Sequence, residues 1–276
     1  MKSMTVVILA AAAIYTTVPV VTTGASFKNA PYVINGAADQ VLDLDMPDAP
    51  GFATVIFIHG GSLDESGERR HSPVYSKVCQ PFLASQIACA TIDYRLAPTH
   101  KWPAMPLDVA AAFAWVREKV VAGRGHPGRI FLFGHSSGCH LAALVGANPT
   151  YLAAVDRKPE DVAGIVAMGC VLSSIGGATT FASPQDRLES DPSRFIGPHM
   201  PATLVVMAEA ERFFPAILEH GATFVRRPLE FKRPADLIIV PGRHMSSIGA
   251  LHQPADPAFT AIQRFLANPA ASGSSR

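Results

Sequence analysis

The sequence predicts an α/β domain, with a mostly parallel central sheet covered by helices on both faces. Two observations carry that prediction: short β-branched runs alternate with longer helical segments, and most of the runs are apolar throughout, as strands covered on both sides must be. Strands are read at Ala53–His59, Ile87–Tyr94, Arg129–Gly134, Val162–Met168, Thr203–Met207 and Leu237–Val240, with Val41–Leu44 as a short edge strand at the start. Helices are read at Pro73–Ala84, Pro106–Val121, Ser137–Val145, Pro215–Arg226 and Pro257–Leu266. Four of these open on proline, whose fixed φ suits a first turn and whose missing N–H has no partner there in any case. The stretch Leu172–Pro201 is too long for a standard crossover, so it reads either as a lid or pocket wall or as a plain surface loop.

The 276 residues carry 23 Lys and Arg against 22 Asp and Glu, a net charge of +1. That leaves no basic surplus to neutralise phosphates, so no nucleic-acid partner is expected. With 49% hydrophobic residues the chain is expected to bury one large core rather than remain disordered. At the amino end, Lys2 precedes an apolar stretch from Val6 to Ile14, and the small residues Gly24 and Ala25 follow. This pattern predicts a signal peptide cleaved after Ala25 and a secreted or periplasmic protein; a buried first element of a cytoplasmic protein is the alternative. Thr16, Thr17 and Pro19 interrupt the apolar stretch short of the roughly 20 residues a span needs, so no stable membrane span is expected. The expected organisation is therefore a signal segment at 1–25, one domain at 26–268 and a frayed tail at 269–276. Of the four cysteines, Cys79 and Cys89 are placed to pair if the chain is exported, while Cys139 and Cys170 sit in apolar surroundings suited to buried free thiols. No CxxC or HExxH spacing occurs, and neither metal nor cofactor is expected.

The chemistry is concentrated at Gly134-His135-Ser136-Ser137-Gly138, a G-x-S-x-G match. It stands directly after one predicted strand and directly before a predicted helix. The sharp strand-to-helix turn such a motif needs would project the Ser136 hydroxyl at the top of the sheet as a nucleophile. Acyl transfer also needs donors for the developing oxyanion. His59-Gly60-Gly61-Ser62, at the end of the predicted strand Ala53–His59, offers the backbone N–H groups of Gly60, Gly61 and Ser62, and the N–H of Ser137 offers a further donor at a helix start.

With these motifs in order, the chain resembles α/β-hydrolase esterases of the hormone-sensitive-lipase-like and kynurenine-formamidase-like branches. The resemblance runs from about Val41 to Leu266. It rests on His59-Gly60-Gly61, Asp93-Tyr94-Arg95-Leu96-Ala97-Pro98, Trp102-Pro103 with Asp108-Val109, the G-x-S-x-G segment with His140-Leu141, and His244-Met245-Ser246. It implies an α/β-hydrolase fold with a small or absent cap, and cofactor-free hydrolysis of a small-molecule ester.

In this architecture the chain order is serine, acid, histidine. His244 follows the last predicted strand and matches the family's histidine; His252 is its competitor in a less defined segment. The acid is expected after Thr203–Met207, where Ala208-Glu209-Ala210-Glu211 stands. Relatives usually carry aspartate at this point, so Glu211 is the departure that falls at the acid position, with Glu209 as the alternative. The oxyanion loop departs too, continuing Ser62-Leu63 where relatives often have a third glycine and an aromatic residue. Asp93, Arg95 and Trp102 read as structural, with Trp102 either walling the pocket or packing. The resemblance thus implies a serine carboxylester hydrolase, and the lack of a recognisable large cap favours short to medium acyl or aryl esters. An N-formyl aromatic amide hydrolase, a secreted lipase and a non-catalytic binding protein on the same fold are the rival readings.

Overall fold

Eight strands form one sheet, and the side chains alternating along its central strands supply two apolar layers. The structure, a computed structural model, describes residues 23–271 except 171, 173, 174, 178 and 254. Residues 1–22 of the expected signal segment and 272–276 of the expected tail lie outside the described residues. The strands are β1 (Thr23–Pro31), β2 (Val41–Pro47), β3 (Thr54–Ile58), β4 (Ala88–Ile92), β5 (Ile130–His135), β6 (Gly164–Met168), β7 (Ala202–Ala208) and β8 (Ala235–Val240), in the spatial order β1-β2-β4-β3-β5-β6-β7-β8. From β4 to β8 every pairing is parallel, while β1 and β2 pair antiparallel at one edge.

Parallel neighbours need crossovers, and helices supply them. The helices are α1 (Gln80–Ala84), α2 (Ala104–Ala122), α3 (Ser137–Ala147), α4 (Pro149–Ala153), α5 (Pro184–Glu189), α6 (Pro215–Glu230), α7 (His244–Gly249) and α8 (Pro257–Ala267). On one face Ile56, Ile58, Ile130 and Leu132 pack under α2 and α3 with Val109, Phe113 and Leu141. On the other, Val55, Phe57, Phe131 and Phe133 meet Phe82, Ile262 and Phe265. The Phe57 and Phe133 rings cross edge to face at 5.2 Å; each fully buried phenylalanine contributes roughly 2–3 kcal/mol through apolar burial. The α/β-hydrolase fold expected from the motifs is therefore the fold observed.

Several elements differ from the sequence reading. Val41–Leu44 is not the edge: β2 runs on to Pro47 and is covered by β1, whose first three residues, Thr23 to Ala25, lie ahead of the expected processing point after Ala25. The helix expected over Pro73–Ala84 shrinks to α1, because Ser72–Cys79 closes into successive three-residue turns, Tyr75 N–H to Ser72 O and Val78 N–H to Tyr75 O. β8 is only half buried, as the last strand of the sheet has no neighbour beyond it. Both cysteine pairs are bonded, Cys79–Cys89 and Cys139–Cys170, with Cα separations of 5.5 and 5.7 Å. The expectation of free thiols at Cys139 and Cys170 is corrected: the first turn of α3 lies beside the chain leaving β6, within bridging distance. Among the described residues no helix is long and apolar enough to cross a membrane.

Candidate active site

Ser136 joins β5 to α3 with φ 55° and ψ −124°, a backbone conformation that a residue with a Cβ adopts only under constraint. The constraint comes from close packing of the turn. A Cβ on Gly134 would overlap the Gly138 carbonyl, and one on Gly138 would overlap the carbonyls of Ile58 and His59 at the end of β3. The turn is pinned laterally as well, since Ser136 N–H donates to Met168 O at 3.0 Å. Ser137 opens α3, where helix geometry leaves its N–H without an intrahelical acceptor.

Glu211 follows β7 in a tight turn, Glu209–Phe213, that carries its side chain back over the strand end. Its carboxylate accepts from Ala208 N–H at 2.7 Å through Oε2 and from His244 Nδ1 at 2.6 Å through Oε1. His244, the first residue of α7, lies with Nε2 at 3.0 Å from Ser136 Oγ. A carboxylate on Nδ1 fixes the tautomer in which Nε2 accepts the serine proton. Glu211 is 3% exposed whereas Glu209, two positions earlier on the turn, faces solvent. Of the two acids weighed from the sequence, it is Glu211 that meets the histidine. His252 is half buried and bonded to Gln253 rather than to this cluster.

The oxyanion loop departs in one respect from expectation. Gly60 N–H donates to the Tyr75 hydroxyl at 3.1 Å, so it is engaged, and the four expected donors reduce to Gly61, Ser62 and Ser137. Gly61 takes φ 109°, and a Cβ there would overlap the Glu68 backbone. Ser62 at φ 61° and Leu63 at φ 63° continue in the left-handed region. The strained loop is held from outside: Ala97 N–H donates to Leu63 O at 3.1 Å and Glu65 N–H to Ala97 O at 2.8 Å. The Asp93–Pro98 segment thus braces the glycine loop through its backbone.

Asp93, Arg95 and Trp102 are structural, as read. Burial alone would raise the Asp93 pKa, but hydrogen bonding and charge from His59 and Arg70 hold it below the usual carboxylate value. Arg70, itself buried, bonds to Asp93 through both its backbone N–H and its guanidinium. Arg95 grips Asp108 in a fork, at 2.9 Å from Nε and 2.7 Å from Nη2. Trp102 packs on Phe181 at 5.7 Å and Tyr151 at 6.4 Å, and its N–H of the backbone donates to Thr180 O, tying down the Leu172–Pro201 excursion. Ile175 and Gly176 from that excursion wall the site, so part of it is a pocket wall.

The cavity above Ser136 measures about 230 Å³ and is completed by Ser62, Ser137, Gly169, Ile217 and His244. The segment following Glu211 exposes Phe213 (78%) and Phe214 (59%). Sequence reasoning missed Gly169, Ile217 and Tyr75. Gly169 had a readable signal, a glycine ending an apolar strand; Tyr75 had none, lying in what read as a helix.

The fold is that of the α/β-hydrolases, and the site is built at the strand ends where that fold places its chemistry. A family model described as BD-FAE matches residues 42–168, from β2 through β6, and bears out the resemblance to hormone-sensitive-lipase-like esterases. Esterase LipC of Mycobacterium tuberculosis (strain ATCC 25618 / H37Rv) is 36% identical over 138 residues, 46% of this chain and 33% of LipC. The gibberellin receptor GID1 of Oryza sativa subsp. japonica is 35% identical over 101 residues, 36% of this chain and 28% of the receptor. The matched segments thus span about a third or less of these relatives. Among solved structures, a truncated form of a carbohydrate esterase from gut microbiota superposes with a TM-score of 0.74 over 91% of this chain and 98% of that one, at 18% identity, a likeness of fold.

Proposed function

We propose that the protein is a serine carboxylester hydrolase acting on short to medium acyl or aryl esters through Ser136, His244 and Glu211. The observation that carries this reading is the unbroken line from Glu211 Oε1 through His244 to Ser136 Oγ, with contacts of 2.6 and 3.0 Å, opening on an apolar-walled cavity. His244 Nε2 takes the Ser136 proton as Oγ attacks the ester carbonyl, and the electron pair moves onto the carbonyl oxygen. Backbone N–H groups of Gly61, Ser62 and Ser137 receive that oxyanion; one such donor is worth about 3–4 kcal/mol in the transition state. Collapse expels the alcohol, which leaves with the proton from His244, and an acyl-Ser136 remains. Water, deprotonated by the same imidazole, repeats the sequence and releases the acid. Glu211 stabilises the imidazolium in both halves.

A cavity of about 230 Å³ walled by Ile175 and Ile217 supports modest acyl groups over long chains. Export to an oxidising compartment is part of the proposal, supported by the signal-like amino end and the two disulfides. Mass spectrometry of exported protein that still begins at Met1 would overturn its processing after Ala25. The likeness to a receptor keeps a binding-protein reading in play, against which stands the assembled serine–histidine–glutamate line. Hydrolysis of a p-nitrophenyl ester series from acetate upward, compared between wild type and Ser136→Ala, tests the proposal. Activity that falls away in the variant supports it. A folded wild type inert toward every ester defeats it in favour of an N-formyl amide substrate or a binding role.

A further inference from the structure

Behind Ser136 runs a second line of hydrogen bonds that the acyl-transfer cycle does not use. His135, fully buried at the end of β5, has Nε2 at 2.9 Å from the carbonyl oxygen of His244 and Nδ1 at 2.9 Å from the Tyr75 hydroxyl. Tyr75, also buried, is the acceptor for Gly60 N–H at 3.1 Å. The directions of these bonds follow from the groups themselves. A carbonyl only accepts, so His135 Nε2 carries a proton and donates. In a neutral ring Nδ1 then accepts, which makes Tyr75 O–H the donor to it, and the phenolic oxygen is left to accept from Gly60. Every polar atom on the line is satisfied in one arrangement only.

We propose that Tyr75 and His135 are positioning residues that couple the oxyanion loop at Gly60 to the backbone of the general base at His244. The inference rests on the proposed hydrolase reading for its consequence, although the hydrogen-bond arrangement stands without it. The two ends of the line belong to segments far apart in sequence, the loop after β3 and the start of α7, and Ser136 lies between them. Their convergence is tight. A Cβ on Gly169 would lie 3.1 Å from His244 Nδ1, 3.2 Å from Glu211 Oε1 and 3.2 Å from His135 Nε2. The line also explains why Gly60 is unsuited to hold the oxyanion: its N–H anchors the loop so that the following residues can turn.

The arrangement requires a neutral His135. Burial, with the nearby His244 adding to it, lowers the His135 pKa to about 3, against the smaller opposing effect of the bond to the His244 carbonyl. Burial likewise pushes Tyr75 up to about 12, although the Gly60 bond pulls the other way and Glu68 raises it further. The ionisable groups around the pair are His244 from α7, Glu211 from the turn after β7, Glu68 from the loop after β3, Tyr94 from the segment after β4, and His59 at 6.5 Å from the Tyr75 ring.

Nitrogen-15 spectroscopy of the histidine rings in the whole chain tests the arrangement directly. The expected result is a His135 ring protonated at Nε2 only, unchanged between pH 5 and pH 8. A proton on Nδ1, or titration of this ring in that range, overturns the proposal. Kinetics test its consequence, with active sites counted by a fluorophosphonate. Tyr75→Phe is expected to lower kcat about tenfold and His135→Phe about a hundredfold, with KM within about twofold. His135→Gln, which keeps a donor and an acceptor, should recover most of that loss. Adding Tyr75→Phe to His135→Phe should cost little more, since the line is already broken. Unchanged kcat per titrated site in His135→Phe, with only a lower melting temperature, would reduce the pair to packing and overturn the positioning role. If the wild type hydrolyses no ester, the hydrolase reading falls, while the ring spectrum still decides whether the line exists. That measurement needs no variant to fold.

Discussion

The stretch from β3 to β6 contributes one hydroxyl, that of Ser136, held in a closely constrained backbone, and the stretch from β7 to α7 contributes side chains that reach it. In the first, the proposed roles of Gly61, Ser62 and Ser137 depend on where their N–H groups stand and that of Ser136 on where its Cα holds the hydroxyl, and Gly134 and Gly138 are needed because a Cβ would strike neighbouring backbone. In the second, Glu211 and His244 need only reach, and the longer side chain of a glutamate does so from the turn after β7. The BD-FAE match falls on the first stretch, stopping at Met168. Backbone geometry tolerates few residue types, whereas a carboxylate at the end of a strand can arrive by different turns and side-chain lengths. The difference teaches where substitution is dangerous and where the chemistry is portable.

The largest effects belong to the reacting line. Ser136→Ala is expected to cost about 10⁴-fold or more in kcat, and Glu211→Gln about 10³- to 10⁴-fold, while Glu209→Gln stays within about twofold. Greater loss in the Glu209 variant would break the comparison by moving the acid to the other side of the turn. Next come the glycines of the first stretch. Gly138→Ala should destabilise by about 3–5 kcal/mol in urea unfolding, because the added methyl meets the Ile58 and His59 carbonyls. A loss below about 1 kcal/mol there would show that the turn relaxes and that backbone precision is not what this stretch supplies.

A smaller effect follows from pH. Unfolded histidine binds a proton near pH 6.5, whereas His135 in the folded protein resists it until about 3. Between those values the unfolded state holds the extra proton, so stability falls as pH drops, by at most about 1.4 kcal/mol per unit from this residue. Unfolding at pH 7 and pH 5 should show that slope reduced in His135→Gln, and an unchanged slope would contradict it. The smallest effect is expected at Phe213, 78% exposed beside the acid. Phe213→Ser should leave stability within about 0.5 kcal/mol and raise KM only for the longest acyl esters that hydrolyse.

Much of the first stretch was readable because its rules are local. The strand before Gly134, the helix after Gly138 and the His59-Gly60-Gly61 loop each announce themselves by residue type and spacing. Glu211 and Glu209 were not separable in this way. Both follow the same strand, and the choice depends on a turn that aims one at His244 and the other at solvent. The Cys139–Cys170 pairing was misread for a related reason: apolar neighbours are compatible with a thiol or a disulfide, and only the approach of α3 to the end of β6 distinguishes them. β1 was missed because its composition, Thr23-Gly24-Ala25-Ser26, lacks the bulky residues that mark a strand, and its pairing with β2 is what makes it one.

The sequence by itself determined the alternation of strands and helices, the sharp turn at Ser136 and which histidine follows the last strand, because periodicity, glycine placement and chain order act over short distances or in fixed succession. The tertiary structure decided which glutamate meets His244, that Gly60 is held by Tyr75, and that His135 joins the two sides of the site. Those are contacts between residues 15 to 109 positions apart, on loops whose turns sequence does not encode locally. They come into being only when the parallel strands align their ends and bring the loops that follow them within hydrogen-bonding reach.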